Sequence, residues 1–151
     1  MPMMDLTYQA GAIDEPTRAA LVEELTTVLL RAERAPDTEL FRNITWVFVH
    51  ELPAGAVCAA GTPVAQPTFR LQVTVPDGAL SDRRKGELVA QATRAISAAA
   101  GLADTDALRV WVLIHEVRDG NWGAGGQVIR FEQLRGLAAQ ERESQGTAVA
   151  T

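Results

Sequence analysis

The 151-residue sequence predicts an α+β fold in which tandem βαβ repeats form a four-stranded sheet with two helices on one face. Three observations predict it. Leu6-Thr7-Tyr8-Gln9-Ala10-Gly11 lies over Val73-Thr74-Val75-Pro76-Asp77-Gly78, with Thr74 standing 67 residues after Thr7. Trp46-Val47-Phe48-Val49-His50-Glu51 lies over Trp111-Val112-Leu113-Ile114-His115-Glu116 at a separation of 65, so the copies differ by a two-residue deletion. Between these paired segments each copy carries an apolar stretch of helical period, in a chain whose 47% hydrophobic and 22% charged residues suit one globular unit with a core.

The first copy, residues 1–61, opens on a strand over 3–9 that ends at Gly11. A helix over 15–32 follows, with Asp14 as N-cap, Pro16 in the first turn, and Leu21, Val22, Leu25, Val28 and Leu29 as its buried stripe. The return strand covers 44–51. A linker over 62–67, preceded by Gly61 and carrying Pro63 and Pro67, leads to the second copy, residues 68–136. There the strand over 70–75 alternates Leu71, Val73 and Val75 with Gln72 and Thr74. The next helix runs over 82–100 from a Ser81 cap, with Leu88, Val89, Ala92 and Ile96 inward, and the last strand spans 108–116. Residues 137–151 read as a flexible tail.

Both return strands carry bulky apolar residues at both parities: Trp111 and Leu113 on one side, Val112 and Ile114 on the other. Two helices cover only one face of a four-stranded sheet, so the other face is expected to meet another subunit. The net charge of −5 and pI near 5.0 speak against a phosphate backbone as partner. Cys58 is the only cysteine, which excludes an intrachain disulfide and suits a reducing cytoplasm. The N-terminal residues show neither a signal peptide nor a membrane span, and no metal-ligand spacing emerges from His50 and His115. Those two histidines repeat between the copies, as do Glu51 and Glu116, which argues for scaffold roles.

Pro2 directly after the initiator Met, strand-helix-strand units closed at Gly11 and Gly78, and the distal run Gly120-Asn121-Trp122-Gly123-Ala124-Gly125-Gly126 occur in that order. In these features the chain resembles the tautomerase superfamily, as a fused pair of the short units represented by 4-oxalocrotonate tautomerase, over about residues 2–126. The resemblance implies a four-stranded mixed sheet of tautomerase/MIF-like fold and assembly as a homotrimer. It also implies keto-enol chemistry on a small 2-keto acid or its enol, without metal or organic cofactor. Pro2 would be the catalytic base. Removal of Met1 leaves a secondary amine whose unperturbed pKa of roughly 7.7–8.0 falls on partial burial. The second-copy counterpart of Pro2 is Phe69, so one such amine exists per chain.

Trp122 falls where the resemblance implies an aromatic pocket wall; its first-copy counterpart is Val57. The two family arginines fall on Ala12 and on Trp111, or Trp46 in the first copy, so both cationic clamps of a dicarboxylate are missing. Trp111 is expected to help enclose substrate, and Arg109, on the same strand, is the replacement cation for a carboxylate or enolate. Two other readings remain open: hydratase-type dehalogenation or decarboxylation, for which no residue clearly supplies the carboxylate that activates water, and a non-catalytic ferredoxin-like binding module.

Overall fold

The computed structural model describes residues 2–148. Its first unit is β1 (Met3–Gln9), α1 (Glu15–Glu33), a short helix α2 (Glu39–Asn43) and β2 (Trp46–Leu52), and it ends in a small hairpin of β3 (Cys58–Ala59) and β4 (Thr62–Pro63). The second unit repeats the plan with β5 (Phe69–Pro76), α3 (Asp82–Ala99), a 3-10 turn, β6 (Val110–Val117) and a hairpin of β7 (Gly123–Ala124) and β8 (Gln127–Val128). A further helix, α4 (Phe131–Ala148), closes the described chain.

The sheet order is β2-β1-β5-β6. Within each unit the two strands are parallel, as a helical crossover requires, while β1 and β5 meet antiparallel at the centre. The expected mixed sheet is therefore what forms. α1 and α3 lie side by side on one face. Leu21, Leu25 and Leu29 of α1 and Leu88, Ala92 and Ile96 of α3 are buried there against Met4, Leu6, Leu71, Val73 and Val75. Each fully buried Leu or Ile contributes about 1.5–3 kcal/mol relative to exposure.

Local signals fix the ends. Asp14 Oδ1 accepts from the Thr17 N–H at 2.9 Å, and Ser81 Oγ from the Arg84 N–H at 3.4 Å, so both helices start where the caps sit. Gly11 and Gly78 adopt φ of +83° and +79°, in turns where Ala12 N–H bonds Gln9 O and Ala79 N–H bonds Pro76 O. The copies also share an ion pair from helix to edge strand: Arg18 with Glu51 and Lys85 with Glu116, each at 2.7 Å.

Three local expectations are revised. Val89 is 37% exposed, and Ala95 takes its place in the stripe. The segment read as a linker begins with β4, so the first unit's hairpin crosses residue 61. The segment read as a tail is helical as far as it is described, because Ala138 is buried against Leu30 and Phe41; residues 149–151 lie outside the described residues.

The face away from the helices carries Trp46 and Phe48 on β2 and Trp111 and Leu113 on β6, exposed by 61%, 43%, 67% and 37% in the single chain. Trp46 and Trp111 occupy diagonally opposite corners, since Trp46 pairs with Met3 at one end while Trp111 pairs with Arg70 at the other. Among the described residues no helix is long and apolar enough to cross a membrane.

Candidate functional site

Pro2 sits at the entry to β1, buried, with its carbonyl accepting from the Trp46 N–H at 3.4 Å. This is the corner of the sheet where β5 and β6 end, because Met3 pairs with Thr74 and Pro76 with Val117. Pro2 borders two cavities, and their walls differ in kind.

The first cavity, about 510 Å³, is formed by Pro2, Ile44, Trp46, Thr74, Asn121 and Trp122, with backbone from the glycine-rich run. Its lining is mostly apolar. Trp122 reaches it because the run folds as a two-residue hairpin: Gly125 and Gly126 take φ of +58° and +78° at the tip, the positive values that a tight β-hairpin needs. The Ile129 N–H then bonds Trp122 O at 2.8 Å and pins the indole's backbone at the hairpin mouth. In the first copy, Ala60 and Gly61 make the same turn and Val64 N–H bonds Val57 O, so Val57 is the structural counterpart of Trp122.

The second cavity, about 780 Å³, lies between the C-terminus of α1, the start of α3 and α4. Glu33, Arg34, Arg84, Arg135 and Arg142 line it with Pro2. Arg84 is fixed by its own chain: Nη1 donates to Ala32 O at 2.9 Å and Ala79 O at 2.8 Å, and Nε to Ser81 Oγ at 3.3 Å. Arg142 donates to Arg34 O at the end of α1. Glu33 is half-buried as a residue, but its carboxyl is crowded by protein, and that desolvation pushes its pKa up to about 7 against the pull of the chain-terminal ammonium and Arg84.

The sequence-predicted residues divide accordingly. Pro2 and Trp122 share a cavity. Trp111 stands at the far end of β6, six strand positions or roughly 20 Å from Val117, whereas Arg109, expected on the same strand, is the last residue of the 3-10 turn that precedes β6 because the strand ladder starts only at Val110; neither approaches Pro2 within one chain. Arg109 is engaged locally, donating to Pro67 O at 2.8 Å and lying 3.6 Å from Asp106. Trp111 Nε1 donates to Leu108 O, as Trp46 Nε1 does to Asn43 O. His50 pairs with Asp5 at 2.7 Å on the open sheet face, away from both cavities. No group of three or more His, Cys, Asp or Glu side chains that could hold a metal ion occurs among the described residues.

Sequence reasoning missed Trp46 as a wall and missed Glu33 and Arg84 altogether. Trp46 carried a signal, its alignment with a family site position. Glu33 and Arg84 are 51 residues apart and meet only through the packing of α1 on α3.

A model of the tautomerase enzyme family matches residues 71–132, the second unit through its glycine-rich hairpin. No curated protein sequence matches the chain significantly. Among solved structures, N1, a member of the cis-3-chloroacrylic acid dehalogenase family, is similar at 22% identity over 99% of both chains with a TM-score of 0.74. The fused 4-OT named F6, an asymmetric trimer, is similar at 23% identity over 83% of this chain and 94% of its own, with a TM-score of 0.70. Pt0534, solved after inactivation by 2-oxo-3-pentynoate, is similar at 19% identity over 87% of this chain and 98% of its own, with a TM-score of 0.72. At these identities the structures speak for the fold.

Proposed function

We propose that this chain, which belongs to the tautomerase superfamily, is a keto-enol tautomerase that uses the Pro2 amine, freed by loss of Met1, to move a proton on a small 2-keto acid or its enol. The observation that carries the reading is Pro2 buried at the boundary of two cavities, with Trp122 and Trp46 on one side. A chain-terminal amine in that position loses hydration, and the four guanidinium groups of the second cavity outnumber its two carboxyls, Glu33 and Glu132, so desolvation and the net local charge both favour the neutral base at working pH. In ketonisation the amine accepts the proton of the enol hydroxyl and delivers a proton to the carbon alpha to the carbonyl. The reverse order gives the enol, and the nitrogen is unchanged after a cycle. The indoles of Trp122 and Trp46 exclude water and pack against a planar substrate.

Trp111 and Arg109 fit this reading only as contributions from a neighbouring subunit. The exposed apolar sheet face supports assembly, and the fused 4-OT structures F6 and Q0 are trimers. In a trimer of this chain, the Trp111 corner of one copy would face the Pro2 corner of the next.

The test begins with intact mass, which must show loss of Met1. Pro2→Ala is then expected to lower ketonisation of enol-phenylpyruvate by at least a hundredfold with the oligomer unchanged. Undiminished turnover in that variant removes the prolyl ring from the mechanism, and undiminished turnover in a protein that keeps Met1 removes the amine. A second reading, hydration with loss of halide, gains one observation, since Glu33 lines the same cavity as Pro2 and its carboxyl, once ionised above its raised pKa, is a base for water. Turnover of a 3-haloacrylate but of no enol would favour it.

A further inference from the structure

We propose that the arginine-walled cavity beside Pro2 is an acid-binding compartment in which Arg84 grips the carboxylate of the substrate, while the rest of the molecule crosses Pro2 into the Trp122 cavity. The proposal rests on the reading of Pro2 as the proton-transfer amine and adds what holds the acid in a chain that lacks both family arginines.

Charge is the first argument. A chain of net charge −5 brings four of its 14 basic residues to one cavity: Arg34, Arg84, Arg135 and Arg142. Of these, none is in an ion pair among the described residues, a condition they share with Arg31, Arg70, Arg94 and Arg118, but only in this cavity do four such guanidinium groups converge. Two carboxyls, Glu33 and Glu132, share the lining and leave an excess of positive charge. Glu33 is held toward its neutral form near pH 7, which enlarges that excess.

Geometry is the second. Arg84 and Arg142 bond carbonyls at the C-terminus of α1, a role that would by itself explain basic residues there. For Arg84 that role uses Nη1, and Nε is taken by Ser81; Nη2 and its two N–H donors have no partner among the described residues. A half-buried guanidinium locked through three bonds, with one nitrogen spare, is pre-organised for a charge-assisted bond to a carboxylate. In a 2-keto acid the carboxyl carbon is two bonds from the carbon that exchanges its proton. Because Pro2 lines this compartment as well as the Trp122 cavity, a carboxylate held here leaves that carbon on the Pro2 side, and an apolar tail continues to the indole side.

Enol-phenylpyruvate and its methyl ester, compared on the Met-trimmed protein, test this. Wild type is expected to prefer the acid, and Arg84→Gln to cut the acid-over-ester ratio of kcat/KM at least tenfold, mainly through KM. Arg84→Lys should restore part of the loss. Calorimetric titration with 3-phenylpropanoate, an acid that cannot tautomerise, reads the compartment independently, and its affinity should fall at least tenfold in Arg84→Gln. If wild type turns over neither substrate yet binds this acid with that dependence, the compartment stands and the tautomerase reading falls. If both substrates react and neither the ratio nor the affinity responds to Arg84→Gln, the compartment is wrong. Should Arg84→Gln not fold, Arg135→Gln on the exposed side of α4 decides: a threefold or greater loss of acid affinity supports the proposal, and no change overturns it.

Discussion

Glu33 shows how one side chain links stability to the cavity it borders. Its carboxyl has a pKa of about 7 in the folded chain against an ordinary 4.5, so the native state keeps a proton that the unfolded chain gives up. The contribution to stability is full below about pH 4.5 and is lost as pH rises toward 7. A Tm that declines across that window in wild type and declines less in Glu33→Gln is the expected result; parallel curves would contradict it. The charged groups that share the cavity with Glu33 are Arg34 at the end of α1, Arg84 of α3, and Glu132, Arg135 and Arg142 of α4, and the chain-terminal ammonium acts on it as well. Ionising Glu33 neutralises part of their field, so the affinity for a carboxylate should weaken as pH passes 7, and Glu33→Gln should flatten that dependence in the calorimetric titration.

Among the elements, the β7–β8 hairpin and α4 matter most for the site. Gly126 at φ +78° admits a side chain only with strain, of the order of 1–3 kcal/mol for a bulky residue. Gly126→Val should therefore displace Trp122 and raise KM several-fold, while Tm, set by the core under α1 and α3, moves little. Ala138 is the residue through which α4 reaches Leu30 and Phe41. Replacing it by Leu overpacks that contact at about 1–3 kcal/mol, and should weaken acid binding by shifting Arg135 and Arg142. Legibility in the sequence follows the same division. The four long strands and two long helices were readable because a repeated sequence states each element twice and because caps and turn glycines stand at their ends. α4 was not, since Gly136 interrupts its stripe of Phe131, Leu134, Leu137 and Ala138 and charged residues fill the remainder. Pro2 and Trp122 were named from a pattern along the chain. The basic cavity depends on three elements meeting in space, and no spacing along the sequence encodes that.

For the whole molecule, the open sheet face is the surface on which the proposed assembly depends. Phe48 and Leu113 lie on it, 43% and 37% exposed in a single chain. Phe48→Asp with Leu113→Asp should convert an oligomer into monomers by light scattering and abolish any dependence of Tm on protein concentration. Loss of turnover in those monomers, with the fold retained, would place part of the site on the neighbouring subunit.

Phe69, the counterpart of Pro2, is 2% exposed and lies 6.0 Å from the Tyr8 ring, centre to centre. Joining two halves end to end thus turned the second starting point into ballast for the interior. Its nitrogen is an amide in mid-polypeptide, without a basic lone pair, and a proline grafted there would hollow out the packing beneath the sheet without gaining a second reaction centre. An engineer seeking a double-headed catalyst would first have to cut the chain before residue 69.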